Sequence, residues 1–156
     1  MDEIFVTLQS LAPITALRFS RWAYAMVNAG HVLAIALVVG GAIPLSLRLF
    51  GLWPSVPRAA LVRVLSLTAG IGLGLALMSG SLLFATRAPE YVANPAFQIK
   101  MALILTGASS AVLAHVRHGW ALDGASHRAA RGIAVVSVIC WIGALVSGRL
   151  IAFMNG

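Results

Sequence analysis

The chain has 156 residues, 60% of them hydrophobic and only 10% charged, with a formal net charge of +7 and a mean hydropathy of +0.96. Soluble domains carry about 25% charged residues, so the composition excludes that class and defines an integral membrane protein. The positive charge is no nucleic-acid signature: basic residues stand mostly at the ends of apolar runs, where they address headgroups and set topology.

The chain opens Met1-Asp2-Glu3, acidic where a secretory signal is basic, and no small-residue cleavage site follows. The first spanning helix is therefore expected to act as an uncleaved signal. Residues 1–21 read as an amphipathic segment. Ile4, Phe5, Leu8, Leu11 and Ile14 recur at helical spacing, with Pro13 as a break, as in a helix lying in the membrane interface; a frayed tail is the alternative. Residues 22–156 form the transmembrane domain. A spanning helix needs roughly 20 apolar residues, and Trp22–Leu47, Val64–Thr86, Pro95–Val116 and Gly132–Phe153 meet that length. The connectors Gly51–Pro57, Arg87–Pro95 and Arg117–Arg131 are short and carry the turn formers. Short links imply alternating direction. The predicted fold class is all-α, a transmembrane four-helix up-down bundle with an N-terminal interfacial amphipathic helix.

Arg48, Arg58, Arg63, Arg117, Arg128 and Arg131 fall on the side away from the N-terminus, against Arg18, Arg21 and Arg87 on the N-terminal side. That bias predicts both termini in the periplasm of a bacterial inner membrane. Gly70, Gly72, Gly74, Gly80, Gly107, Ala111, Gly143 and Ser147 supply small surfaces. They allow close helix packing, within one bundle or between copies of a homo-oligomer.

His31, Lys100 and Arg149 each interrupt an apolar span, and no aspartate or glutamate lies inside any span. Ionisable groups in hydrocarbon cost several kcal/mol unless compensated, which makes each a functional-site candidate. Helical rise places His31 roughly 13 Å and Met78 about 12 Å from the N-terminal face, with Lys100, Met101 and Arg149 at about 7 Å. Tyr24, Asn28 and His31 share one stripe of the first helix. Cations without acids call for an external anion, and a haem with its propionates is the simplest. In that reading His31 is the axial ligand, Asn28 serves hydrogen bonding on its stripe, and Lys100 and Arg149 hold propionates. The second axial position falls to Met78, to Met101 or to no residue. Haem b implies electron transfer to a quinone or a periplasmic partner. The bland alternatives are an interhelical hydrogen bond for His31 and snorkelling for the two cations.

A second reading is a copper-handling protein, with His31, Met26, Met78 and Met101 as ligands suited to Cu(I). A third is a non-catalytic membrane anchor. His115, His118 and His127 gather at the opposite face, either around a metal or simply solvated. The chain has no HExxH, no CxxC, no Walker loop and no Ser/His/Asp grouping, and its membrane spans lack the carboxylates expected of a proton-coupled carrier. The single cysteine, Cys140, excludes an intramolecular disulfide.

The run from His31 to Gly40-Gly41, followed by Pro44 and Arg48-Leu49, resembles the first helix of two related groups. These are the four-helix haem-containing protoporphyrinogen oxidases of bacteria and the membrane domain of the copper-resistance D family. Asn94-Pro95-Ala96-Phe97-Gln98-Ile99-Lys100-Met101 is similar to their lysine-bearing third helix. The resemblance implies haem binding at His31 and a functional role for Lys100, with porphyrinogen oxidation as the enzymatic variant. Leu37 and Val38 stand where those proteins usually carry a tryptophan. Over most of its length the chain is more similar to an uncharacterised bacterial four-span inner-membrane family. Ser20-Arg21-Trp22, Asn28-Ala29-Gly30-His31, Arg87-Ala88-Pro89-Glu90-Tyr91 and Gly148-Arg149-Leu150-Ile151-Ala152-Phe153 carry that likeness.

Overall fold

A computed structural model describes residues 2–154. The side chain of Ile4, part of the predicted amphipathic stripe, lies outside the described residues. The described chain is helical almost throughout: α1 (Asp2–Ser10), α2 (Ala12–Phe19), α3 (Arg21–Phe50), α4 (Arg58–Thr86), α5 (Ala88–Ala93), α6 (Pro95–His118) and α7 (His127–Met154). The four long helices, α3, α4, α6 and α7, are each long and apolar enough to cross a membrane. They pack as the expected all-α bundle.

The spans run past the apolar windows because their ends are polar but helix-competent. α4 begins at Arg58, behind Pro57 with φ −55°, six residues before the apolar run. α3 stops where Gly51 takes φ +112° and its N–H and that of Leu52 bond the Arg48 and Leu47 carbonyls, a left-handed closure that favours glycine. The link between α4 and α6 is not a bare loop. Pro89 sits in the first turn of α5, where its missing N–H is no loss. Asn94 then caps α6, its Oδ1 accepting from Ala96 N at 2.9 Å and Phe97 N at 3.4 Å. Asn94→Ala should lower stability by about 1 kcal/mol, read as a fall in thermal midpoint with unchanged helicity.

The N-terminal segment folds as two helices rather than one. Pro13, expected as a break, lies in the first turn of α2, and Ile14 and Leu17 are buried. α1 and α2 rest on the end of α4. Phe84 of α4 stacks on Phe97 of α6 with centroids 5.5 Å apart, and Tyr91 and Phe5 close the cluster at 6.2 and 6.4 Å from Phe84. Burial pushes the Tyr91 hydroxyl above its ordinary value, and the neighbouring Tyr24 adds to the effect.

α3 packs on α4 and on α7, and α6 packs on α7; among the described residues the backbones of α4 and α6 stay apart. The stacked rings of Phe84 and Phe97, at the N-terminal end, bridge that flank. Val38, Ala42 and Trp141 form the central core, with Leu73 from α4 and Ile104 from α6 packed against it. A second core, of Leu49, Val62, Ala114, Leu122, Ala125, Ala130 and Ala134, fills the far end. Leu122 is 2% exposed and keeps φ +57°, so burial offsets a strained backbone. Glycines divide by role. Gly41, Gly72, Gly107 and Gly143 touch the neighbouring helix, while Gly70 and Gly74 face open space.

Candidate functional site

The antiparallel packing of α3 on α4 sets His31 opposite Ser79 and Gly80. That of α6 on α7 sets Lys100 opposite Gly148. Because Val38 and Ala42 of α3 pack on Trp141 of α7, both pairs lie toward the N-terminal end of the bundle. His31 continues the inward stripe of Ala34, Val38 and Ala42 and is half-buried.

His31 Nδ1 lies 2.9 Å from Ser79 Oγ. The Ser79 hydroxyl donates to the Leu75 carbonyl at 2.6 Å, the back-bond that serine commonly makes inside a helix. A hydroxyl has one proton, so toward His31 its oxygen can only accept. Nδ1 therefore carries the imidazole hydrogen. In the neutral ring this leaves Nε2 unprotonated, with its lone pair available. A fixed Nδ1–H with a free Nε2 is the usual state of a metal-binding histidine.

Gly80 is part of the same arrangement. A Cβ there would stand 3.0 Å from His31 Cε1 and 3.6 Å from Nδ1, tighter than ordinary contact. Gly80→Ala should displace the ring from Ser79, whereas Gly74→Ala, with open space around it, should not. The imidazole ¹⁵N shifts of the detergent-solubilised protein would show the difference.

Lys100 is half-buried and lies over Gly148, where a Cβ would come 3.4 Å from Nζ and 3.6 Å from Cε. The lysine stem therefore lies across α7 within ordinary contact distance of position 148. Among the described residues the one salt bridge is Arg87–Glu90, exposed and 3.5 Å long. Lys100 therefore has no carboxylate partner there.

The remaining predicted residues lie elsewhere. Arg149 is exposed, its guanidinium 5.0 Å from the Phe153 ring centroid. It follows Gly148 in sequence, and one helical residue turns a side chain about 100°, away from Lys100. Met78 precedes Ser79 and is turned outward in the same way, 70% exposed. Asn28 is exposed and Met101 half-buried. Met26 is also exposed, so the thioethers do not gather around His31. Of the five predicted site residues, His31 and Lys100 face the helix packing, and Asn28, Met78 and Arg149 lie on outer surfaces. Ser79, Gly80 and Gly148 complete the site, and sequence reasoning missed their part in it. A serine and two glycines in apolar helices read as packing until the opposite helix is known.

At the far end His115 lies against Trp120, centroids 5.1 Å apart. Its Nδ1 is buried without a partner, beside a small cavity of about 40 Å³ that Ser46, Ser110 and Ser137 also line. Among the described residues no three His, Cys, Asp or Glu side chains come together as a metal-binding group. His115, His118 and His127 do not form one.

Comparison with family models, with curated proteins and with solved structures finds no match to the chain.

Proposed function

We propose that the chain is a membrane haem-b protein in which His31 ligates iron through Nε2 and Lys100 meets a propionate. One observation carries the reading: His31 Nδ1 lies 2.9 Å from a Ser79 hydroxyl that donates to the Leu75 carbonyl, an arrangement that favours the imidazole proton on Nδ1 and a free Nε2. Lys100, a half-buried cation on a packed helix without a carboxylate partner among the described residues, fits an anionic cofactor. The fit is to one axial ligand and one propionate contact. Arg149 and Met78, on outer surfaces, add nothing to it. Bound haem supplies one-electron redox chemistry whose potential the axial ligand and its hydrogen bond tune. Ser79 orients the ring, Gly80 gives it room, and Lys100 neutralises charge where water is scarce. In this reading the chain sits in a bacterial inner membrane with both termini periplasmic, as its arginine distribution favours, and passes electrons to a quinone or a periplasmic partner. No observation favours copper handling over haem.

An absorption spectrum of the purified protein, oxidised and then dithionite-reduced, tests the proposal. A Soret band with α and β bands that sharpen on reduction is expected; a featureless spectrum from haem-replete cells overturns it. Lys100→Gln should keep the spectrum but weaken haem retention about tenfold, the scale of one charge-assisted hydrogen bond. Transfer of haem to a scavenging apoglobin measures that loss, and Lys100→Arg should restore retention.

A further inference from the structure

A second polar feature opens where α2, the start of α3 and the end of α4 meet. It is an open cleft of about 480 Å³ whose lining includes Arg18, Arg21, Tyr24, Thr86, Arg87 and Glu90. Among the described residues, three arginines share the cleft with one carboxylate. Glu90 engages Arg87 through one 3.5 Å contact between exposed groups, and such pairs hold weakly. Arg18 and Arg21 have no carboxylate partner among the described residues. Each guanidinium carries five donors in a fork that matches phosphate or carboxylate oxygens. Three cations lining one cleft favour the entry of an anion over that of a neutral or cationic group. The gathering is a product of the fold: Arg18 comes from the last turn of α2, Arg21 from the first residue of α3, and Arg87 from the α4–α5 junction.

The depth and the neighbours narrow the anion. The cleft sits at the polar ends of the spans, where headgroups lie. Phe19 and Trp22 beside it are 80% and 84% exposed, the aromatic surface that a membrane interface favours.

We propose that this cleft binds a phosphate-bearing anion, with the headgroup of an anionic phospholipid as its occupant. The site does not depend on haem and stands or falls separately from the His31 reading.

Native mass spectrometry of the full chain in detergent tests it. The protein is titrated with dimyristoylphosphatidylglycerol, with dimyristoylphosphatidylcholine, and with inorganic phosphate as competitor. Phosphatidylglycerol should be retained in preference to phosphatidylcholine. Arg21→Gln combined with Arg87→Gln should weaken its retention about tenfold or more, on the scale of losing charge-assisted hydrogen bonds. Arg128→Gln combined with Arg131→Gln removes the same charge at the far face and should leave retention unchanged. If millimolar inorganic phosphate displaces the lipid from the wild type, the phosphate chemistry stands and a soluble anion is the occupant. Equal losses in the two double variants, or no loss in the first, overturn the proposal. Should the first double variant fail to fold, Arg18→Gln, at an exposed position, takes its place: weaker retention than that of the wild type and of the far-face control is expected, and retention equal to that of the far-face control overturns the proposal.

Discussion

His31→Ala is expected to abolish the haem spectrum of the purified protein, while Ser79→Ala leaves a spectrum with haem affinity reduced about 10- to 100-fold, as for other partners of a ligating histidine. The order of the two effects is the informative part. If His31 only fastens α3 to α4, both substitutions break the same 2.9 Å contact. They would then lower stability alike without touching a spectrum. If Nε2 is the ligand, removal of the ring is decisive and removal of the serine is graded. Without Ser79, Nδ1 loses its acceptor, and the ring is free to turn or change tautomer. A spectrum unchanged in His31→Ala would end the ligand assignment.

The second large effect concerns the α3–α4 contact that puts those residues together. A Cβ on Gly41 would stand 2.6 Å from the Leu65 carbonyl oxygen and 2.8 Å from Ala69 N. Both are backbone atoms of the facing helix, so no side chain can swing aside and the helices must part. Gly41→Ala should therefore cost about 1–3 kcal/mol, the usual range for overpacking. Gly41→Leu should prevent native packing of α3 on α4. The adjacent Gly40 has nothing within 4 Å of a built Cβ, so Gly40→Ala is a matched control that keeps full stability. Equal thermal midpoints for Gly40→Ala and Gly41→Ala in detergent would refute the close approach.

The spans were legible because an apolar run long enough to cross a bilayer has few other solutions in lipid. Their ends were not. Hydropathy loses the signal at Arg58 and Arg63, whereas the backbone continues as helix through both. α5 was hidden by Pro89 and Glu90, residues that read as a turn yet also suit a first helical turn. For the site, spacing along single helices brought His31 and Lys100 to one half of the bundle. It could not orient residues around the axis relative to partners not yet known. Arg149 and Met78 were therefore indistinguishable from their neighbours Gly148 and Ser79, although one residue of rotation separates an inward from an outward side chain. The hydroxyl that favours one tautomer of His31 lies 48 residues away, and only the packed helices bring the two together.

The separation of the α4 and α6 backbones also bears on how the molecule is put together. Each half of the bundle is a closely packed pair, α3 with α4 and α6 with α7, and the long helices of the two halves come together mainly where α3 lies on α7. Helices entering a bilayer as hairpins would complete most of their packing within each pair. A single lateral docking step would remain, with Trp141 settling onto Val38 and Ala42 and Phe84 meeting Phe97. His31 is finished by the first hairpin and Lys100 by the second, so the two come into register only at that last step.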